Sequence, residues 1–229
     1  MHVAVIMDGG GYRPAQRGLA RIAGYHHGAE AAWKTVNAAL TADVTHLTLI
    51  GVASDSPNRE TSGAKLFLHL LHSRIDKHRY ELQSEGIRLS VIGDRTAWAP
   101  HIAESIEQAE KATRNNTRMR LTFVLNHGAR ADIAGATRRL AFLVQDGMLQ
   151  PDEIDQETFA ANLGTGFLPD LDLLIRTSGE QRVGDFLLWQ VAYAEMLFVE
   201  KSWQDFTGED LTAALSEFKR RQRRFGATG

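Results

Sequence analysis

The chain has 229 residues, ample for a sizeable hydrophobic core, and its 43% hydrophobic and 24% charged content is that of an ordinary globular protein. With 26 Lys plus Arg against 28 Asp plus Glu, the net charge of −2 excludes the strongly basic face of a generic nucleic-acid coat, and the absence of cysteine excludes disulfides, thiolate nucleophiles and Cys-ligated metal centres. No apolar run approaches the roughly 18 residues of a membrane span and the first residues lack a signal-peptide layout, so a cytoplasmic protein is expected.

Six short runs rich in Val, Ile and Leu are expected as strands: His2–Met7, His46–Val52, Arg88–Gly93, Arg120–Asn126, Asp172–Arg176 and Glu195–Val199. They show little polar alternation, as do parallel strands covered on both faces. Between them, Gly28–Ala42, Leu66–Leu82, Ile102–Ala112, Ile133–Gln145 and Leu211–Arg223 carry apolar residues at helical spacing, and the apolar stretch Phe186–Ala194 is expected as a buried helix. This alternation predicts a single α/β domain over 1–229, with a mostly parallel six-stranded sheet flanked by helices. No linker, repeat or low-complexity tract divides the chain.

Ligands of such sheets bind beyond the carboxyl ends of the strands. Asp8-Gly9-Gly10-Gly11 follows the first strand without a gap, with Arg13, Arg17 and Arg21 close behind. Consecutive glycines let backbone amides approach an anion, and a carboxylate beside them suits a divalent cation. The segment is neither a Walker loop nor a G-x-G-x-x-G fingerprint. An aspartyl-nucleophile phosphatase would want a second Asp at position 10, where Gly10 stands. After the fifth strand, Arg176, the turn Thr177-Ser178-Gly179-Glu180 and Arg182 supply two guanidinium forks around a polar turn, which suits a second phosphate-rich group.

The segments IRTSGEQR (Ile175–Arg182), FLLWQVAYAE (Phe186–Glu195) and WQDF (Trp203–Phe206) closely resemble the C-terminal signature of the cis-prenyltransferases, the undecaprenyl diphosphate synthase family. VAVIMDG with Arg21 and Gly24…Gly28 is similar to its N-terminal motif, and RLTFVLNHGARAD (Arg120–Asp132) to its middle segment. The resemblance spans nearly the whole chain and implies Mg²⁺-dependent condensation of isoprenoid diphosphates by a homodimer. It implies that Asp8 anchors the metal with Glu195 near it, and that Gly9, Gly10, Gly11, Arg21 and Arg59 hold the allylic diphosphate. By the same resemblance Arg176 and Arg182 bind the second diphosphate, and Arg224 reaches the diphosphate of the other subunit.

The departures matter equally. The family's D-G-N-G-R-W is Asp8-Gly9-Gly10-Gly11-Tyr12-Arg13, and its G-H-x-x-G is Gly24-Tyr25-His26-His27-Gly28. In the Y-A-F-S-x-E-N-x-x-R-P segment, Ser and Asn become Ala53 and Ser56, while R-x-S-N-F becomes Arg182-Val183-Gly184-Asp185-Phe186. Diphosphate-binding residues largely survive; the polar groups that orient isopentenyl diphosphate and remove its proton largely do not. Tyr12, Arg13, Tyr25, Ser56 and Gly184 therefore stand as candidate substrate-binding positions of a changed pocket. That pattern resembles the lavandulyl and cyclolavandulyl diphosphate synthases, which join dimethylallyl units head to middle. A regular head-to-tail synthase using isopentenyl diphosphate, and a non-catalytic diphosphate-binding subunit, are the alternatives. In Leu66–Leu82, Phe67, Leu71, Arg74 and His78 fall at helical spacing, and a histidine there is a candidate base for the closing proton loss; a helix end turning into solvent is the plainer alternative.

Overall fold

The computed structural model describes residues 1–9, 19–51 and 62–221, without the side chains of 19–22, 62–67 and 97. Six strands form one sheet: β1 (His2–Ile6), β2 (His46–Ile50), β3 (Ile87–Ile92), β4 (Met119–Val124), β5 (Leu173–Arg176) and β6 (Glu195–Phe198). All run parallel in the order β3-β4-β2-β1-β5-β6. Each lies within a few residues of the run expected from its Val, Ile and Leu content. β1 sits between β2 and β5, so the chain leaves β1 toward one edge and returns to build β5 on the other side. That is a topological switch point, and it puts the ends of β1 and β5 side by side.

Seven helices are described: α1 (Leu19–Thr41), α2 (Ser62–Lys77), α3 (Arg79–Ser84), α4 (Pro100–Thr113), α5 (Ala129–Gln145), α6 (Gln156–Ala161) and α7 (Gly208–Arg220). α1 is alanine-rich, a composition with high helix propensity, and sinks Ala32, Val36, Ala39 and Leu40 into the core. α4 buries Ile102, Ile106, Ala109 and Thr113 at alternating steps of three and four. α7 opens on a capping box between Thr207 and Asp210.

The two faces of the sheet differ. On one, Val3, Val5, Leu47, Leu49, Leu121 and Phe123 pack with α1, α2, α4 and α7 in the larger core cluster. On the other, Ala4, Ile6, Ile50, Ile92 and Val124 are covered by loop residues Leu168, Leu171, Phe186, Leu187 and Val191. Phe186–Ala194, expected as a helix, is mostly turns: Leu187 has φ +46°, and the backbone bonds close single turns from Val191 to Leu187 and from Ala194 to Val191. Its apolar residues roof the sheet as a folded loop, with Trp189 and Tyr193 exposed. Among the described residues no helix is long and apolar enough to cross a membrane.

Candidate active site

Asp8 stands two residues beyond the end of β1, and Arg176 ends the adjacent β5 in register with Ile6. Arg176 is only 5% exposed, and its fork is fully used. Nε and Nη2 lie 2.8 and 2.7 Å from Asp8 Oδ2, and Nη1 donates to the carbonyl of Arg182. A buried guanidinium is tolerated only with such pairing, and loss of one partner of a buried pair costs about 3–5 kcal/mol. The Asp8 side chain is 34% exposed, so one side of its carboxylate remains open to solvent.

The backbone of Asp8 is pinned from distant parts of the chain. Its carbonyl accepts from Thr177 Oγ1 at 2.8 Å, Ser178 Oγ at 3.0 Å and the Trp203 amide at 2.9 Å. Gly9 adopts φ +94°, and a Cβ there would lie 2.2 Å from Ser178 Oγ, so only glycine fits. Trp203 is fully buried and donates from Nε1 to the Gly28 carbonyl at 2.9 Å, with its ring close against that glycine. The first and last motifs are thus joined through Asp8, Gly28 and Trp203.

Arg182 turns its side chain away from Asp8, into an ion pair with Glu180, and is 65% exposed. Gly184 has φ +73°, and a Cβ there would lie 3.5 Å from Arg176 Nη1 and 3.3 Å from Phe186. Asp185, where the family has Asn, accepts from the Arg130 amide through Oδ1 at 2.9 Å, while its carbonyl accepts from the Ala129 amide at 3.0 Å. It therefore caps α5, whose own N-cap residue Gly128 has no side chain to do so. Tyr25 is half-buried against the larger core cluster.

A further polar cluster, within the middle motif but given no role from the sequence, joins α5 to this rim. Asp132 accepts from the Gly164 amide at 2.8 Å and lies 3.6 Å from His127 Nε2 and 3.7 Å from Arg139. Burial holds the His127 imidazole below its ordinary range, against the opposing pull of Asp132 and Asp185. Asn126 Oδ1, at the end of β4, is buried with no partner among the described residues. Only the register of β4 with its neighbours reveals that these side chains share the rim with Asp8.

Gly10, Gly11, Tyr12, Arg13, Ser56, Arg59 and Arg224, together with the side chains of Arg21 and Phe67, lie outside the described residues. Within one chain, two expected site residues stand apart from Asp8. Glu195 opens β6 in register with Leu173, itself paired with Val3, so it lies at the opposite end of the sheet from Asp8, about 16 Å away along the strand direction. It pairs instead with Arg221 Nη1 at 2.9 Å, tying the end of α7 to the start of β6; one chain cannot bring Glu195 and Asp8 to a single cation. His78 separates α2 from α3, one helical rod of about 24 Å from the start of α2, on the side where α3 leads into β3. It stacks on Trp33 at 4.3 Å and its Nδ1 lies 2.5 Å from Glu81, contacts that brace the helix junction.

Comparison with known proteins decides the family. The undecaprenyl diphosphate synthase family model matches residues 6–226. The chain belongs to this cis-prenyltransferase family. Two relatives in it are the isoprenyl transferases of Zymomonas mobilis, 43% identical over 98% of this chain and 91% of the relative, and of Agrobacterium fabrum, 41% identical over 99% and 92%. Among solved structures, lavandulyl diphosphate synthase from Lavandula x intermedia in complex with dimethylallyl diphosphate matches with a TM-score of 0.92 at 32% identity, covering 99% of this chain and 98% of that one. A probable undecaprenyl diphosphate synthase from Campylobacter jejuni matches with a TM-score of 0.77 at 25% identity over the same shares. Like its relatives, the cis-prenyltransferase described here is an enzyme of prenyl diphosphate synthesis.

Among the described residues no group of three His, Asp or Glu side chains converges as a metal cage. Mg²⁺ commonly takes one or two carboxylates and completes its shell with water and substrate phosphates. Asp8, with its partly exposed carboxylate, would be one ligand of such an ion.

Proposed function

We propose that the enzyme performs an irregular prenyl transfer, joining dimethylallyl-type diphosphates head to middle to give a short branched or cyclised diphosphate. The observation that carries this proposal is a selective change in the motif residues. The Asp8–Arg176 pair is kept, while the hydroxyl and amide groups that the family directs at isopentenyl diphosphate are replaced by Gly10, Ala53, Ser56 and Gly184. Simple decay would not spare the charged pair. The similarity to lavandulyl diphosphate synthase over 99% of the chain supports the same assignment.

In this scheme the allylic C–O bond breaks, a carbon–carbon bond forms to an internal carbon of the second unit, and one proton leaves. Arg176 keeps a fixed positive charge at the rim, where it binds the second diphosphate beside Asp8, at no cost in reorganisation. Gly9 and the pinned backbone of Asp8 hold the cradle in position, and the apolar roof around Phe186 and Leu187 excludes water from the carbocation. Asp8 would hold Mg²⁺ together with the substrate phosphates, and the ion would supply charge neutralisation for the leaving group. A homodimer is part of the same proposal: Phe142, Phe167, Trp189 and Tyr193 are exposed on α5 and on the loops of the roofed side.

Incubation with Mg²⁺ and dimethylallyl diphosphate alone, followed by dephosphorylation and mass spectrometry, is the test. A branched or cyclic ten-carbon alcohol is expected. No product until isopentenyl diphosphate is added, and then a linear series, makes the enzyme a regular head-to-tail synthase, the assignment suggested by its higher identity to the isoprenyl transferases. Sedimentation velocity at micromolar concentration checks the dimer.

A further inference from the structure

At the amino-terminal end of the sheet, opposite the Asp8 cradle, the strand register sets three basic residues in one row. Arg88 of β3 pairs with Arg120 of β4, which pairs with His46 of β2. Residues in register on neighbouring parallel strands point to the same face. The side chains are indeed neighbours: Arg88 is the guanidinium that, after burial, most disfavours the charge on Arg120, and Arg120 does the same to His46. All three are half-buried, and among the described residues neither guanidinium has a carboxylate partner. Arg120 lies over the Phe167 ring at 4.8 Å, which fixes its plane.

The next row on the same face is hydroxyl-bearing, with Ser90 beside Thr122 and Thr122 beside Thr48. Thr48 is occupied by His2 Nε2, but Thr122 is fully buried and, among the described residues, its Oγ1 has no hydrogen-bond partner. A buried hydroxyl without a partner costs about 1–3 kcal/mol, and like charges directly opposite on adjacent strands are destabilising. Two such costs converge at one corner of the sheet. An anion with several oxygens answers both: two planar forks grip it, His46 adds a donor, and hydroxyl donors stand one row above.

We propose that Arg88, Arg120 and His46, with Thr122 behind them, form a second anion site for a phosphate or diphosphate group, distinct from the Asp8–Arg176 cradle and free of any need for a metal. It stands whether the enzyme makes regular or irregular products. The group bound is a phosphoanion, supplied either as free diphosphate, which prenyl transfer releases, or as the headgroup of an isoprenoid diphosphate.

The test is calorimetric titration with inorganic diphosphate in EDTA on the wild type, Arg88→Gln and Arg120→Gln, with Arg88→Lys as a charge-preserving control. Loss of one guanidinium contact is expected to weaken this phase about tenfold, while Mg²⁺-dependent prenyl transfer stays within about twofold and Arg88→Lys retains most of the binding. A parallel titration with dimethylallyl diphosphate assigns the source: equal affinity points to the free anion, preference for the prenylated ligand to the headgroup. Titrations unchanged in both Gln variants overturn the proposal. So does an unchanged titration combined with dissociation of the dimer in either variant, which would make the row a subunit contact.

Discussion

At the residue scale, Arg176 shows why a guanidinium and not an ammonium stands at the end of β5. One side chain satisfies the Asp8 carboxylate and the Arg182 carbonyl at once, using donors that a lysine lacks in that geometry. Arg176→Lys is expected to leave the fold in place and lower kcat by about 10²–10³-fold, read in steady-state prenyl transfer with saturating substrate. His2 provides a second prediction. The ring is 1% exposed, with Nδ1 donating to the Pro169 carbonyl and Nε2 accepting from Thr48, each at 2.8 Å. Burial lowers its pKa from 6.5 to about 4, against the opposing effect of the Pro169 bond. Above pH 6.5 both folded and unfolded chains hold it neutral and it costs nothing. As pH falls toward 4 only the unfolded chain takes up the proton, so stability drops by about 3 kcal/mol and levels off below 4. Urea midpoints across pH 4–7 are expected to fall less steeply in His2→Gln than in the wild type. Asp8 and Arg176 were legible in the sequence because each follows an unmistakable strand. His2 was not, since its burial depends on the Pro169 loop folding beneath β1.

At the scale of elements, the loop 182–186 serves two sites. Its Arg182 carbonyl holds Arg176, and its Asp185 caps α5. Asp185→Ala is expected to lower unfolding free energy by about 1 kcal/mol, read in urea denaturation, with a larger fall in substrate affinity because the same loop carries the Arg176 contact. His78 makes the opposite case. Its stacking on Trp33 and its pairing with Glu81 brace the α2–α3 junction, one helix length from the start of α2. His78→Gln is expected to change kcat by less than about twofold and to lower Tm by a few degrees. Strands and most helices were legible because buried parallel strands are continuous apolar runs and helices show their stripe. Phe186–Ala194 deceived because apolarity reports burial, and a loop that roofs a sheet is as apolar as a helix. The separation of Glu195 from Asp8 within one chain was not legible, because a motif's order along the chain does not reveal which end of a strand each residue occupies. The row of Arg88, Arg120 and His46 became visible only with the register.

At the scale of the whole molecule, everything that fixes the cradle arrives late in the chain. β1 is the first strand, yet the partner on its catalytic side is β5, and the groups that lock the Asp8 carbonyl are Thr177, Ser178 and Trp203. Pairings of such sequence separation form slowly, because much of the chain must be closed before any of them is rewarded. During synthesis the first four strands emerge with one side of β1 bare, an edge lined by Ala4 and Ile6 and open to unwanted pairing. A nascent chain halted before β5 would therefore be a client for chaperones and lack the Asp8–Arg176 cradle. Competence for the reaction would switch on abruptly, once the ribosome had released the tryptophan that closes the circle.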